Sequence, residues 1–480
     1  MLKFFYAEFL LVTGFFLVIF IELFLSNQFT QRNKYEIQLN FSIIYFMFIF
    51  FILICKSDFS STYFLGSFYQ TPASQLFKII IIIFSIIWLF LIKETYLIKK
   101  PVFSLFFSLI FIFLLASFLI LIQLNLFGIF ICLEIQNILL FAFFSLHIKN
   151  LTNYKQVFHY FLISSFISSI MAMGCALIYA CSGTLDIIYL EHIFGYLKNN
   201  FYFLSGTFFF FIGFLFKLGL FPFFYWIPAI FRTAPLPGIF VSAVISKLIY
   251  FFTLMSNLHF LLVFYGELLI FVSVISILLC AILAMKEYTI RGVVGYSSVV
   301  QTGFLALGIP SSSLHLNSAV IFYLLIYCFT MFFIIFCVML LERRKLKQKI
   351  IFIYELKGIG LSNFYFSICF AIAIFSLAGL PPFPGFFGKL FLIIQLFDSG
   401  FIFSGLFILI YTLIVMFYYI RLVNLMFSGR LNEMKDEKMG LLISSPWTIF
   451  IISSFIAWNI WMLINFNALW TISLFVGTFL

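Results

Sequence analysis

Charge is scarce in this sequence. Only 9% of its 480 residues are Asp, Glu, Lys or Arg, 65% are hydrophobic, and the mean hydropathy is +1.22. That excludes a soluble globular domain, in which about a quarter of the residues are charged. Cysteine offers no framework either. The eight cysteines (Cys55, Cys132, Cys175, Cys181, Cys280, Cys328, Cys337, Cys369) are scattered through apolar runs without a CxxC pair. They read as small lipophilic fillers rather than a disulfide, zinc or iron–sulfur set. The five histidines are equally dispersed and give no haem pair, so no redox cofactor is expected on this chain. Proline and glycine are few, 11 and 25 beside 78 phenylalanines, a composition that points to an AT-rich coding genome and is compatible with organellar synthesis. The N-terminus, "MLKFFYAEFLL", runs straight into an apolar stretch and reads neither as a cleavable signal nor as an Arg- and Ser-rich transit peptide.

What is there in abundance is long hydrophobic runs. A helix needs about 20 apolar residues to cross the hydrocarbon, and on that criterion about fourteen spans recur along the chain. The fourth covers Val102 to Ile122, the fifth Leu124 to Leu146, the seventh Phe201 to Trp226 and the eighth Pro237 to Met255. The tenth covers Val293 to Ile309, the twelfth Phe364 to Phe397 and the fourteenth Leu441 to Ile464. The expected fold is an all-α polytopic membrane protein.

The net charge of +11 does not make a nucleic-acid face, because the basic residues are dispersed between spans. They are topology signals. Assigning loops alternately to two sides puts 20 of the 27 Lys and Arg on one side and Lys3, Lys56, Lys78 and Lys198 on the other, with three left inside spans. By the positive-inside rule the basic side faces the cytoplasm or its organellar equivalent, with both termini opposite.

Ionisable residues inside the spans are Glu8, Glu22, Glu134, Lys217, Lys247, Glu267 and Lys389. A charge at the bilayer centre costs roughly 3 kcal/mol on insertion scales, so each needs a partner, a polar cavity or an escape to the interface. Snorkelling to the headgroups is open to Glu8, Glu22 and Glu267, near span ends. It fits Glu134, Lys217 and Lys247 less well. Desolvation disfavours an ammonium and a nearby carboxylate favours it, so a carboxylate that moves or changes protonation switches the lysine. Glu134 is the natural partner of Lys217, and the set reads as an intramembrane proton relay.

Two helix breaks accompany the lysines. "GLFPF" at Gly219 to Phe223 recurs as "GLPPF" at Gly379 to Phe383, placing Pro222 in the seventh span and Pro381, Pro382 and Pro384 in the twelfth. Prolines kink membrane helices for packing alone. Matched interruptions offset by five spans, each within two turns of a buried lysine, point instead to two inverted repeats with discontinuous helices lining a transport site. The expected organisation is residues 1–100 as three N-terminal helices, 101–256 and 257–428 as the two five-helix repeats, and 429–480 as an inner-face loop and C-terminal helix.

Four stretches carry a family resemblance. "LEIQNILLF", "GFLFKLGLFPFFYWIPAIFRTAPLPGIFVSAVISK", "IRGVVGYSSVVQTGFLALG" and "AGLPPFPGFFGKLFL" are similar to the fifth, the seventh and eighth, the tenth and the twelfth helices of one family. It is the antiporter-like subunits of proton-pumping NADH:quinone oxidoreductase, respiratory complex I, and the match is to subunit 2, called subunit N in bacteria. The resemblance implies that Glu134 and Lys217 form a modulating ion pair, Lys247 is the central relay and Lys389 the terminal donor. Tyr296, Ser297, Ser298 and Gln301 would line a water chain. It also implies that NADH, FMN, iron–sulfur clusters and ubiquinone belong to other subunits, and that the neighbours are subunit 4, the small subunit 4L and lipids. The implied location is the mitochondrial inner membrane, with a bacterial plasma membrane or thylakoid as alternatives. Lysine at 247 and 389 separates the chain from subunits 4 and 5, which usually carry histidine at the first position; subunit 4 has glutamate at the second.

There are departures. Phe224 stands where the family has the histidine of PFHxW, Ala229 and Arg232 interrupt its acidic APDxYEG stretch, and Gln301 replaces the histidine of YSSxxHxG. Glutamine cannot take up a proton, so a relay at that position must run over water or another group. Three other readings stay open on sequence: a stand-alone or Mrp-type cation/proton antiporter, a subunit of the plastid NADH-dehydrogenase-like complex, and a scaffold that has lost pumping.

Overall fold

A computed structural model describes residues 6–24, 31–55, 61–63, 66–95, 104–146, 151–310, 314–341, 351–428 and 446–478. The chain is almost entirely helical there, as backbone that cannot reach water must satisfy its hydrogen bonds within the segment. Serine and threonine hydroxyls follow the same logic. Ser164, Ser168 and Thr330, among many, donate to carbonyls one turn back.

Two compact units are built from interleaved segments of chain. The first comprises Met1–Lys217 and Pro237–Leu261, the second Leu218–Leu236 and Leu262–Thr478. The first opens with α1 (Tyr6–Phe24) and α2 (Gln31–Cys55), a short hairpin of β1 (Ser61–Tyr63) and β2 (Phe68–Gln70), then α3 (Pro72–Thr95) and α4 (Ser104–Ile122). It continues through α5 (Leu126–Ser145), α6 (Leu151–Ser182), α7 (Ile187–Leu197) and α8 (Phe201–Leu218). Asn125 starts α5 by accepting from the backbone N–H of Phe127 at 2.9 Å, and its amide donates to Asp186 at 3.1 Å, tying the starts of α5 and α7 together. The unit closes with α10 (Leu236–Phe240), a π-helical turn at Val241–Ile245 and α11 (Ser246–Ser256), which together run buried throughout. Asn257 ends α11 by donating to Ile120 O at 3.2 Å and Gln123 O at 2.8 Å.

The second unit holds α9 (Trp226–Thr233), α12 (His259–Lys286), α13 (Ile290–Leu307) and α14 (Leu314–Leu341). After a short α15 (Ile359–Ser362) come α16 (Phe364–Ala378), α17 (Pro384–Asp398), α18 (Ile402–Phe427), α19 (Pro446–Ile464) and α20 (Phe466–Thr478). α9 packs along α13, where a side chain on Gly295 would bring its Cβ within 2.7 Å of Pro228 Cα. α14 is the buried centre of this unit, flanked by α16, α17 and α20. Phenylalanine serves core and outward faces alike, Phe322 being fully buried and Phe403 82% exposed.

Among the described residues, length and apolarity alone qualify ten helices as spans, or eleven with the α19–α20 pair, which bends by 82°. The expected fourth, tenth and twelfth spans fall outside that set for visible reasons. α4 has only a short apolar stretch, Phe106–Ile122, within the described residues. α13 carries Arg291, Ser297, Ser298, Gln301 and Thr302, and the twelfth is split into two pieces of 15 residues, α16 and α17. Two apolar helices escaped the sequence reading, α7 and α20. The basic stretch Glu342 to Lys349, and the loop after Ser428 through Lys438, lie outside the described residues.

Candidate functional site

The two Gly-Leu-x-Pro-Phe breaks share one backbone design. Gly219 and Gly379 take φ of +72° and +82°, open only to glycine without strain, and in each copy the leucine carbonyl accepts from the phenylalanine N–H three residues on. Those bonds are Phe223 to Leu220 at 2.7 Å and Phe383 to Leu380 at 3.0 Å. The peptides Phe221–Pro222 and Pro381–Pro382 are both cis. Pro222 leads into a 3-10 turn over Phe223–Tyr225, and Pro384 opens α17 at its first turn, where the missing N–H costs nothing.

In the first unit, Lys217 sits in the last turn of α8 and is 4% exposed. Its Nζ donates to Leu133 O of α5 at 3.1 Å. Glu134, the next residue, accepts instead from Asn137 Nδ2 at 2.9 Å. Among the described residues no ion pair within 4.0 Å joins Glu134 to Lys217. Lys247 lies at the start of α11, directly after the π-helical turn, and is 1% exposed. Tyr250 is one turn further along the same face. Around this group the amide atoms Gln136 Nε2 and Oε1, Asn137 Oδ1 and the Tyr250 hydroxyl are buried and lack a protein partner. Ordered water is what such buried groups ordinarily use.

In the second unit, Lys389 on α17 is 3% exposed and reaches back to the end of α16. Its Nζ donates to Leu377 O at 2.8 Å and Ala378 O at 2.9 Å and stands 4.9 Å from the centroid of the Phe304 ring. The break at Gly379 leaves those carbonyls without helical partners, and the negative end of the α16 dipole offsets the ammonium charge. Gly379 also makes room, since a side chain there would bring its Cβ within 2.8 Å of Lys389 Cδ. Gln301 on α13 is fully buried in this cluster. Its Oε1 accepts from the Tyr323 hydroxyl, and its Nε2 donates to Leu377 O at 2.9 Å and Tyr419 Oη at 3.4 Å.

Ser297 and Ser298 return their hydroxyls to Val294 O and Gly295 O of their own helix. Tyr296 turns to a different cluster. Arg232 donates to Glu287 at 2.5 Å and to Tyr296 Oη at 3.3 Å, while Arg291 donates to Ala234 O at 2.8 Å. The arginine that departs from the expected acidic stretch therefore has a carboxylate waiting, one the sequence reading had not paired with it.

One buried ion pair was missed altogether. Lys78, counted above as a loop residue, lies inside α3, and its Nζ meets Glu8 Oε1 of α1 at 2.5 Å, with side-chain exposures of 1% and 7%. The ammonium is also 5.6 Å from the Phe118 ring centroid. Glu8 is thus buried and paired inside the protein, where sequence alone left it open to snorkelling. Among the described residues no three His, Cys, Asp or Glu side chains converge as metal ligands would.

The family profile described as NADH:quinone oxidoreductase/Mrp antiporter, transmembrane, matches residues 123–415, the stretch that holds both breaks and all four predicted relay residues. The chain belongs to this family. A relative named NADH-quinone oxidoreductase subunit N, from Hydrogenovibrio crunogenus, is 24% identical over 396 residues, covering 81% of this chain and 82% of the relative. In fold, the chain is similar to one in respiratory complex I from Thermus thermophilus, with a TM-score of 0.80 at 18% identity, covering 97% of this chain and 98% of that one. It is equally similar to a chain of the Mrp complex from Dietzia sp. DQ12-45-1b, with a TM-score of 0.80 at 15% identity, covering 98% and 96%. At those identities the two structures establish the antiporter-like fold and no more.

Proposed function

We propose that this chain is a proton-translocating membrane-arm subunit of a complex I type NADH:quinone oxidoreductase, its subunit 2 or N. The observation that carries the reading is the burial of Lys217 and Lys389, each beside one of two breaks of the same backbone design. Isolated ammonium groups are too costly in a membrane interior to persist without use. Held by carbonyls rather than by a tight carboxylate pair, each can give up its proton without leaving an unpaired buried carboxylate.

In this reading Glu134 modulates Lys217, Lys247 relays the proton and Lys389 delivers it to the outer side. The two breaks mark two inverted repeats. The driving energy arises at quinone reduction in other subunits, which hold the NADH, FMN, iron–sulfur and ubiquinone sites. The neighbours are membrane-arm subunits, with subunit 4 and subunit 4L in direct contact, and the location is the mitochondrial inner membrane.

A second reading, a cation/proton antiporter of the Mrp kind, is favoured by the equal TM-score to the Mrp chain. Gentle solubilisation of the native membrane followed by a native gel separates the two. Co-migration of this polypeptide with NADH dehydrogenase activity is expected. Migration as a smaller species without that activity, with Na⁺ or K⁺ flux in liposomes, would replace the complex I reading by the antiporter one.

A further inference from the structure

The π-helical turn at Val241–Ile245 stands directly before Lys247, and something must keep it there. Such a turn holds one residue more than an α-helical turn, and it is closed here by Ser246 N–H donating to Val241 O, five residues back. Each residue of α-helix adds about 100° of rotation. If the spare residue were taken up into regular helix, everything beyond it would turn by about that angle relative to everything before it. On the proton-translocation reading above, Lys247 is the relay, and the turn decides which way it faces.

Helix α3 meets this segment through two ring contacts, with all four rings buried. Trp88 stacks on Phe240, the residue immediately before the turn, with 5.6 Å between centroids and 17° between planes. Phe77 packs on Phe252, five residues beyond Lys247, at 4.5 Å. The contacts come in opposite order along the two helices, which therefore run antiparallel. Phe77 and Trp88 are eleven residues apart, whereas Phe240 and Phe252 are twelve. Eleven residues of α-helix cover about 16.5 Å and twelve about 18 Å, and the turn absorbs the extra residue. The indole Nε1 of Trp88 is buried without a protein partner among the described residues, so it is the ring face that is in use.

We propose that α3 is the template that keeps the π-helical turn in place, with Phe77 and Trp88 as positioning residues for Lys247. Each end of the segment is held separately. Before the turn, α10 lies against α5, where a side chain on Gly238 would bring its Cβ within 3.0 Å of Phe143 O. Phe106 joins Trp88 to Phe143 with ring contacts of 5.0 and 5.3 Å. Beyond the turn, Asn257 fixes the height of the end of α11 by donating to Ile120 O and Gln123 O, and Phe77 keeps α11 from rotating. The residue after Phe77 is Lys78, so the ion pair with Glu8 that ties α3 to α1 also fixes the level of the ring.

The test uses the assembled complex in native membrane vesicles, with protons pumped per electron and NADH oxidation measured together. Phe77→Ala lets α11 turn and should lose most of this subunit's share of pumping while NADH oxidation continues. Deleting Ala243 from that variant removes the spare residue, sets eleven residues opposite eleven, and should restore the native ratio. The deletion alone should pump as the native chain does. A packing role would not behave this way, because a shortened helix does not fill the space left by a phenylalanine ring. Native pumping in Phe77→Ala overturns the proposal, as does a loss that the deletion leaves unrepaired, or a deletion that by itself abolishes pumping. If Phe77→Ala does not assemble, Phe252→Leu thins the same contact from the other side and carries the same expectation of loss and rescue. Lys217→Met run in parallel separates two failures. If it lowers the ratio while Phe77→Ala does not, only this inference falls; if it too pumps normally, the proton-translocation reading falls.

Discussion

The buried pair of Glu8 and Lys78 gives a prediction that needs no assumption about transport. The two charges meet at 2.5 Å with almost no exposure, and the lysine also stands over Phe118, so the contact joins α1 and α3 against α4. Removing one partner leaves an uncompensated charge, which costs about 3–5 kcal/mol in a buried site. A loss of about 3 kcal/mol is roughly a hundredfold in the folded fraction. Removing both charges deletes the desolvation penalty together with the attraction, and is nearly neutral or stabilising. Glu8→Gln and Lys78→Met should therefore each sharply lower the amount of assembled protein and its unfolding temperature in mild detergent. The double variant should recover most of both. Added salt should change little, because a pair this buried is hardly screened. The reasoning is refuted if either single variant is as stable as the native chain, or if the double variant is as damaged as the singles combined.

Other residues give shorter tests. Gly379→Ala forces a side chain onto a φ of +82° and crowds Lys389, so it should cost at least 1–2 kcal/mol and lower pumping; equal thermal stability to the native chain would contradict the steric argument. Asn257→Leu removes donors to Ile120 O and Gln123 O and should cost about 1–3 kcal/mol, read as a lower unfolding temperature. Arg232→Met leaves Glu287 without its cation, but at 29% side-chain exposure the arginine is part-solvated and the effect should stay near 1 kcal/mol and shrink in salt. A salt-independent loss of several kcal/mol would mean that the pair is more buried than its geometry indicates.

The membrane class, the interrupted helices and the buried lysines were legible because each leaves a local mark. Hydropathy marks the spans, and Gly219 with Pro222 and Gly379 with Pro382 mark the breaks. The rest depended on which helices touch, and one-dimensional patterns do not carry that. Lys78 follows "TPASQLF" and reads as a residue at the start of a span; only the packing of α3 on its neighbours brings it to Glu8. Gln301 shows the reverse case. Its inability to titrate was plain from the sequence, but Tyr323 and Tyr419 come from α14 and α18, far along the chain, and nothing in their local context singles them out among 24 tyrosines. Helix α7 was missed because its 11 residues are too short for a span, and the amphipathic pattern of "IIYLEHIFGYL" was the signal that could have found it.

The central claim is that the buried lysines move protons. Its most direct test is the ratio of protons pumped to electrons transferred in intact complex carrying Lys217→Met, with NADH oxidation measured in the same vesicles. The account predicts a lower ratio in a complex that still assembles and still oxidises NADH. An unchanged ratio would contradict it and reduce Lys217 to a structural residue.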